Sequence, residues 1–324
     1  MSGNIHEIGD QLKPFDWDLK ITKHDIPDPQ NFHQNSHASI RLPKVGISNL
    51  VTPVTLASRD GANFSYVKGT IEAFVSMDDT VSRGINMSRL ARGFYDVIVD
   101  KNENGQAVTL ADFVDVTTNY RNALPSNDAF VKVSFDYPYI QKHWREEHYG
   151  WLYYPTCIEI ENTQKGGVKA FITIVYTYNS ACPCSYQLAQ FSQKVLNTPA
   201  ISHSQRSEAT IRCEIDPNAV GADFLWIEDL IDLCRSAQPS EVLGGIVTRV
   251  GEFSMAQMVA STELKDGDGN VVQQGAIGFI EDVLRRFWST LNKDGRIKNF
   301  NVKLVHYEAL NANFAAGEIN KNLE

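Results

Sequence analysis

The sequence predicts an α+β fold of antiparallel strands and amphipathic helices, and three observations carry that expectation. Strand-like alternation, with an apolar residue at every second position, recurs around 131–135, 168–178 and 209–215. Helix-like spacing of three and four between apolar residues recurs around 87–98, 227–234 and 280–291. The order strand, strand, helix, helix, strand, strand comes about twice. The expected organisation is therefore an arm over 1–40 and two tandem modules over 41–165 and 166–324.

Taken in order, residues 1–40 are polar and rich in His, Asn, Pro and Asp, and read as an arm that orders only against a partner subunit or the body. Apolar stretches at 45–57 and 64–77, split by the turn Asp60, Gly61, Ala62 and Asn63, read as a hairpin. In the first helix Met87, Leu90, Phe94, Val97 and Ile98 share one face, and Asn86 or Ser88 can cap its start. A second helix covers about 108–122. Val131, Val133 and Phe135 alternate with Lys132 and Ser134 as a half-buried strand, and 151–161 forms another before the turn at Lys165, Gly166 and Gly167.

In the second half, Val168, Ala170, Ile172, Ile174, Tyr176 and Tyr178 mark a strand that leads to a cysteine loop and a short helix ending near Leu196. In the next strand Ala209, Ile211, Cys213 and Ile215 face one way and Thr210, Arg212 and Glu214 the other. A helix over 225–236 turns Ile227, Leu230, Leu233 and Cys234 inward, which makes Cys213 and Cys234 packing residues. A helix over 276–291 and a strand from 297 to about 310 complete the chain.

Composition narrows the function. At 324 residues and 43% hydrophobic, the chain can bury a sizeable core. A net charge of −9 argues against nucleic acid, which selects a basic face. The absence of 18 uninterrupted apolar residues argues against a membrane span, and the first twenty residues lack a basic segment followed by an apolar one. Five cysteines at irregular spacings fit reduced thiols, and a cytoplasmic protein is expected.

The chemistry concentrates in Ser180-Ala181-Cys182-Pro183-Cys184-Ser185, where the strand halts at Pro183. Two thiols around one proline are either small buried hydrophobes in a turn or thiolate donors to a metal. With His203 further on, thiolate and imidazole are both available to one cation, and a catalytic zinc keeps three protein ligands and one open position.

CPCS at 182–185 and HSQRS at 203–207 resemble the CPCS and HNQRS of the prokaryotic type B GTP cyclohydrolase I family. DIPD at 25–28 with Gln30, LPKVGISNL at 42–50, RGINMSRL at 83–90, WIEDLI at 226–231, SEV at 240–242 and FIEDVLRRF at 279–287 fall in the same order. The resemblance implies the tunnelling fold (T-fold), in which antiparallel sheets of several subunits close into a barrel with helices on one face. Closure removes sheet edges, so a homo-oligomer, a tetramer, is expected. It implies a hydrolase of EC 3.5.4 type that turns GTP and water into 7,8-dihydroneopterin triphosphate and formate, the entry to folate, with a purine nucleotide as its small-molecule partner.

By the same resemblance Cys182, His203 and Glu241 hold a divalent metal, Zn2+ with Mn2+ and Fe2+ as alternatives. Cys184 competes with Cys182 for the metal or acts as a proton-donating thiol. Glu263 is expected to anchor guanine, with Glu252 and Gln257 as rivals, Arg89 and Arg206 to contact phosphate, and Ser88 to bind substrate. The departures are three asparagines, Asn86, Asn311 and Asn313, where the family carries histidine. An amide preserves shape and hydrogen bonding but not proton transfer. The connection from Cys184 to His203 and the segment 247–263 are also longer than the family's. A divergent paralogue with a partial or different hydrolysis, or a non-catalytic purine-binding relative, are the alternatives.

Overall fold

The computed structural model describes residues 40–61, 64–78, 84–124, 126–143 and 147–322, so the expected arm lies outside the described residues up to residue 39. From Leu42 the chain makes β1 (Leu42–Ala57), β2 (Phe64–Met77), α1 (Met87–Glu103), α2 (Leu110–Ala123), β3 (Asp128–Lys142) and β4 (Tyr149–Thr163). It continues with β5 (Gly167–Ala181), α3 (Pro183–Leu196), β6 (Ser204–Ile215), a 3-10 turn at Gly221–Asp223, α4 (Ile227–Ala237) and α5 (Arg249–Val259). The hairpin β7 (Glu263–Lys265) and β8 (Val271–Gln274), α6 (Ile280–Leu291), β9 (Asn299–His306) and β10 (Ala315–Asn320) finish it.

Eight strands join in one antiparallel sheet in the order β1-β2-β3-β4-β5-β6-β9-β10. Helices cover one face: α1 packs on β1 and β2, α2 on β3 and β4, α4 on β5 and α6, and α6 on β9 and β10. The alternation seen in the sequence explains why. Ile172, Ile174 and Tyr176 of β5 and Ala209, Ile211 and Cys213 of β6 are buried under α4 and α6, whose inward Leu230, Ile231, Phe287 and Leu291 are also fully buried. Each of the buried Ile, Leu and Phe side chains contributes about 1.5–3 kcal/mol on leaving water. The α2 start is fixed by a capping box between Thr109 and Asp112. At the β4–β5 turn Gly167 takes φ +67°, a conformation that costs glycine nothing.

Cys213 and Cys234 are fully buried, and burial pushes both thiols above their ordinary range, in keeping with packing residues. Three elements differ from expectation. β6 begins at Ser204, five residues before the apolar alternation, because the polar Gln205 and Ser207 occupy inward positions. The last strand stops at His306, and after a loop over 307–314 the chain returns as β10. The insertion α5-β7-β8 carries no apolar stripe, since α5 buries Gly251, Ser254 and Met258 and exposes Phe253.

Candidate functional site

The upper half of β5 is where the functional residues gather. β4 pairs with β5 only as far as Thr156 against Ile174. Beyond that the edge is completed by segments from much later in the chain. Val242 N donates to Thr177 O (3.2 Å) and Asn179 N to Ser240 O (2.7 Å); then Ala181 N donates to Ala276 O (3.0 Å) and Gly278 N to Ala181 O (3.3 Å). On the other edge β6 pairs with β5 up to Ala181 opposite Ser204.

Cys182 caps α3 in an extended conformation with Pro183 just inside the helix, where a missing N–H is harmless. Its N–H donates to His203 O (3.2 Å), its carbonyl accepts from Ser202 Oγ (2.9 Å), and His203 N–H donates to Ser185 Oγ (3.2 Å). Cys182 and His203 are thus adjacent across the strand ends, and both are half-buried. His203 Nδ1 is 3.1 Å from Gln205 Oε1, which makes Nδ1 the protonated nitrogen and leaves Nε2 with its lone pair. A thiol and an imidazole carried on adjacent backbone segments are donors suited to a borderline divalent cation. Cys184, on the first turn of α3, is exposed.

Glu241 pairs with Tyr178 on the same strand and is 3% exposed. Its Oε2 accepts from Arg235 Nε (2.8 Å) and Gln141 Nε2 (2.7 Å), and its Oε1 accepts from Tyr154. Burial pulls the Arg235 guanidinium down, but the Glu241 carboxylate and Tyr154 hold it above its ordinary value. Burial and the same carboxylate push the Tyr154 phenol well up. Cys182 lies four residues beyond the Tyr178–Glu241 pair, about 13 Å at strand rise. No three His, Cys, Asp or Glu side chains among the described residues lie within reach of one ion. In this fold Cys182 and His203 come together and Glu241 does not join them. The register of its segment holds Glu241 beside Tyr178, and Arg235, a helix residue, takes the carboxylate into an internal ion pair.

A column of inward polar residues below Cys182 and His203 escaped the sequence reading. Ser180 Oγ and Ser207 Oγ are 2.7 Å apart, and Tyr178 Oη and His306 Nε2 2.9 Å. Burial pushes the His306 imidazole down to about 4, so it is neutral at pH 7. From α6, Arg286 donates to Gln238 Oε1, Gln238 Nε2 donates to Ser240 Oγ (2.7 Å), and Ser240 Oγ donates to Asn179 O (2.6 Å), which fastens the Glu241 segment to β5. The signal that could have found these residues is polar side chains in phase with apolar neighbours on β5 and β6.

The remaining candidates scatter. Glu263 is exposed at the start of β7, opposite Gln274. Two residues before it, Ser261 O accepts from Ile277 N (3.1 Å), and Ile277 bridges Ala181, so Glu263 lies two segments sideways from Cys182. Asn311 and Asn313 are exposed in the loop over 307–314 at the His203 end of the sheet, and Asn311 Nδ2 donates to Glu308 Oε2 (3.0 Å). Arg206 is exposed on the helix-free face of β6. Ser88 and Arg89 are exposed on the first turn of α1, on the β1–β2 side of the sheet.

Comparison with known proteins places these residues in a family. The description "Type I GTP cyclohydrolase folE2" matches residues 26–315. The chain is 31% identical over 298 residues to GTP cyclohydrolase FolE2 of Dinoroseobacter shibae, covering 90% of this chain and 73% of that one. It is 30% identical over 294 residues to GTP cyclohydrolase FolE2 of Ruegeria sp., covering 90% and 72%. Among solved structures, uricase from Arthrobacter globiformis superposes with a TM-score of 0.50 at 8% identity, covering 88% of this chain and 95% of that one, a likeness of fold alone.

Proposed function

This chain belongs to the type I GTP cyclohydrolase FolE2 family, and from that premise we propose that the β5–β6 end built around Cys182 and His203 is its active centre. The enzyme is a GTP cyclohydrolase: GTP and water give 7,8-dihydroneopterin triphosphate and formate. The observation that carries the assignment is the adjacency of Cys182 and His203, 21 positions apart in sequence, with His203 Nε2 left open by the Nδ1 contact to Gln205.

Cys182 and His203 would hold a divalent cation, Zn2+ with Mn2+ or Fe2+ as alternatives. Such a cation supplies a Lewis acid that makes water nucleophilic near neutral pH. The chain's own residues do the rest. Gln205 fixes the His203 tautomer, and Cys184, exposed two residues on from Cys182, lends a proton. Glu263 holds the N–H edge of guanine. Arg206 and Arg89 contact phosphate, and Ser88 binds substrate. Glu241 is the buried counter-ion of Arg235; as third ligand it would have to leave that pair.

Ser88 and Arg89 sit on α1 over β1 and β2, whereas Cys182 ends β5, so β1 and β5 lie about 19 Å apart at strand spacing. They reach a Cys182 site only from another copy. Among the described residues both sheet edges, β1 and β10, are unpaired on their outer side, and the helix-free face exposes Tyr66, Trp151 and Tyr153. These observations support a homotetrameric, barrel-closed tunnelling fold, with the active centre between subunits. A monomer by light scattering at micromolar concentration overturns it. No helix among the described residues is long and apolar enough to cross a membrane. On its membership of a biosynthetic enzyme family we assign the enzyme to the cytoplasm.

Incubating the purified protein with GTP and Zn2+ or Mn2+, and following pterin fluorescence and formate together, tests the assignment. Both products are expected, and neither from Cys182→Ala. The two exposed amides Asn311 and Asn313 favour one second reading, a paralogue that stops after ring opening. Formate or a formamide intermediate without pterin would establish it.

A further inference from the structure

A cavity of about 500 Å³ opens on the helix side of the sheet between α2 and the start of α4, and none of the residues assigned above lines it. Its walls include Phe113 from α2, Ile158 and Ile172 from β4 and β5, and Trp226 before α4; the rim is the loop around Val220, which is 78% exposed. That size suits a small organic molecule. The charged residues lining it are Asp115 and Glu228, both acidic.

Glu228 is 7% exposed. Its Oε1 accepts from Arg59 N (3.0 Å) and Tyr137 Oη (2.7 Å), while its Oε2 is buried with no hydrogen-bond partner among the described residues. The nearby cations are spent elsewhere: the Arg59 guanidinium on Asp229 (2.9 Å) and Asp232 (2.8 Å), and Arg296 on Asp229 (2.6 Å) and Asp294 (2.7 Å). A carboxylate oxygen buried without a donor is costly, and a ligand that brings one relieves the cost. An anion has nothing to pair with here.

We propose that this cavity is a binding site, separate from the cyclohydrolase centre, for a small molecule with a flat apolar body and a protonated amine. The apolar walls take the body and Glu228 takes the amine. Tryptamine is a probe of that chemistry, and indole-3-acetate has the same ring with the opposite charge. Calorimetric titration of the full-length protein should show one tryptamine per chain and no measurable indole-3-acetate binding. Glu228→Gln keeps an oxygen acceptor for Arg59 and Tyr137, so it should fold, and it should weaken tryptamine by about tenfold or more. Ala219→Trp, on the rim, should abolish binding without touching the core. Cys182→Ala should bind tryptamine as the wild type does while losing GTP turnover, which separates this site from the catalytic one. Equal binding of both indoles, undiminished binding by Glu228→Gln or Ala219→Trp, loss of binding in Cys182→Ala, or no binding by the wild type would each overturn the proposal.

Discussion

Replacing Glu241 by alanine should lower the melting temperature of the metal-free protein. The substitution removes the acceptor of Arg235 Nε (2.8 Å) and Gln141 Nε2 (2.7 Å), together with that of the Tyr154 hydroxyl. Arg235 keeps Asp232 Oδ1 at 3.5 Å, the Tyr139 and Tyr154 hydroxyls at 3.1 and 3.2 Å, and the face of Tyr139, 4.7 Å from its centroid. Taking one partner from a buried ion pair costs about 3–5 kcal/mol. Arg235 is 25% exposed and retains Asp232, which brings the expectation down to about 2–4 kcal/mol. For 324 residues, an unfolding entropy of about 2.1 cal/mol/K per residue turns each kcal/mol into about 1.5 °C, hence a drop of about 3–6 °C. Scanning calorimetry after chelation measures it. Cys182→Ala and His203→Ala, at half-buried positions without an ion pair, serve as controls and should melt within about 1 °C of wild type when metal-free. A metal-free Glu241→Ala that melts with the wild type would refute the internal ion pair as a stabilising element.

Elemental analysis should find about one divalent metal per subunit, lost in Cys182→Ala and His203→Ala and kept in Cys184→Ala; the reverse pattern for the two cysteines would move the ligand to Cys184. If the leaving nitrogen lacks its usual acid, Asn311→His with Asn313→His should raise GTP turnover by about 10²-fold to 10⁴-fold, and wild-type turnover unchanged by alanine at both positions would show that they carry no proton chemistry. His306, depressed from 6.5 to about 4, stays neutral in the fold while the unfolded chain takes up a proton. Its contribution is therefore complete above pH 6.5 and lost as pH falls toward 4, and His306→Gln should flatten denaturant-measured stability across that window.

Much of the sheet was legible because β5 alternates without a break from Ala170 to Tyr178, and because α6 keeps Val283, Phe287 and Leu291 on one stripe. Cys182 and His203 were legible through the motifs around them. What was hidden lay where polar side chains occupy inward positions. Gln205 and Ser207 masked the first third of β6, and Arg235 and Arg286, charged residues on helices, each reach inward to a buried acceptor that no periodicity announces. Periodicity reports which face is apolar, and it is silent where that face holds a satisfied polar network. The loop over 307–314 hid the turn back into β10, whose Ala315–Asn320 alternates too weakly to announce a strand.

The changeover of partners along β5 also sets an order of events in folding. Its lower half zips to β4, the neighbour just behind it in the chain, but the cysteine end waits for Ser240, Ala276 and β6. Contacts at sequence separations of about 60 and 95 residues are slow to close, since loop entropy must be lost before they form. The cysteine end is therefore among the last parts of the sheet to become rigid. A nascent chain halted short of Ala276 would carry a finished lower β5 with an unbraced Cys182, unable to gather its donors until synthesis had passed that point.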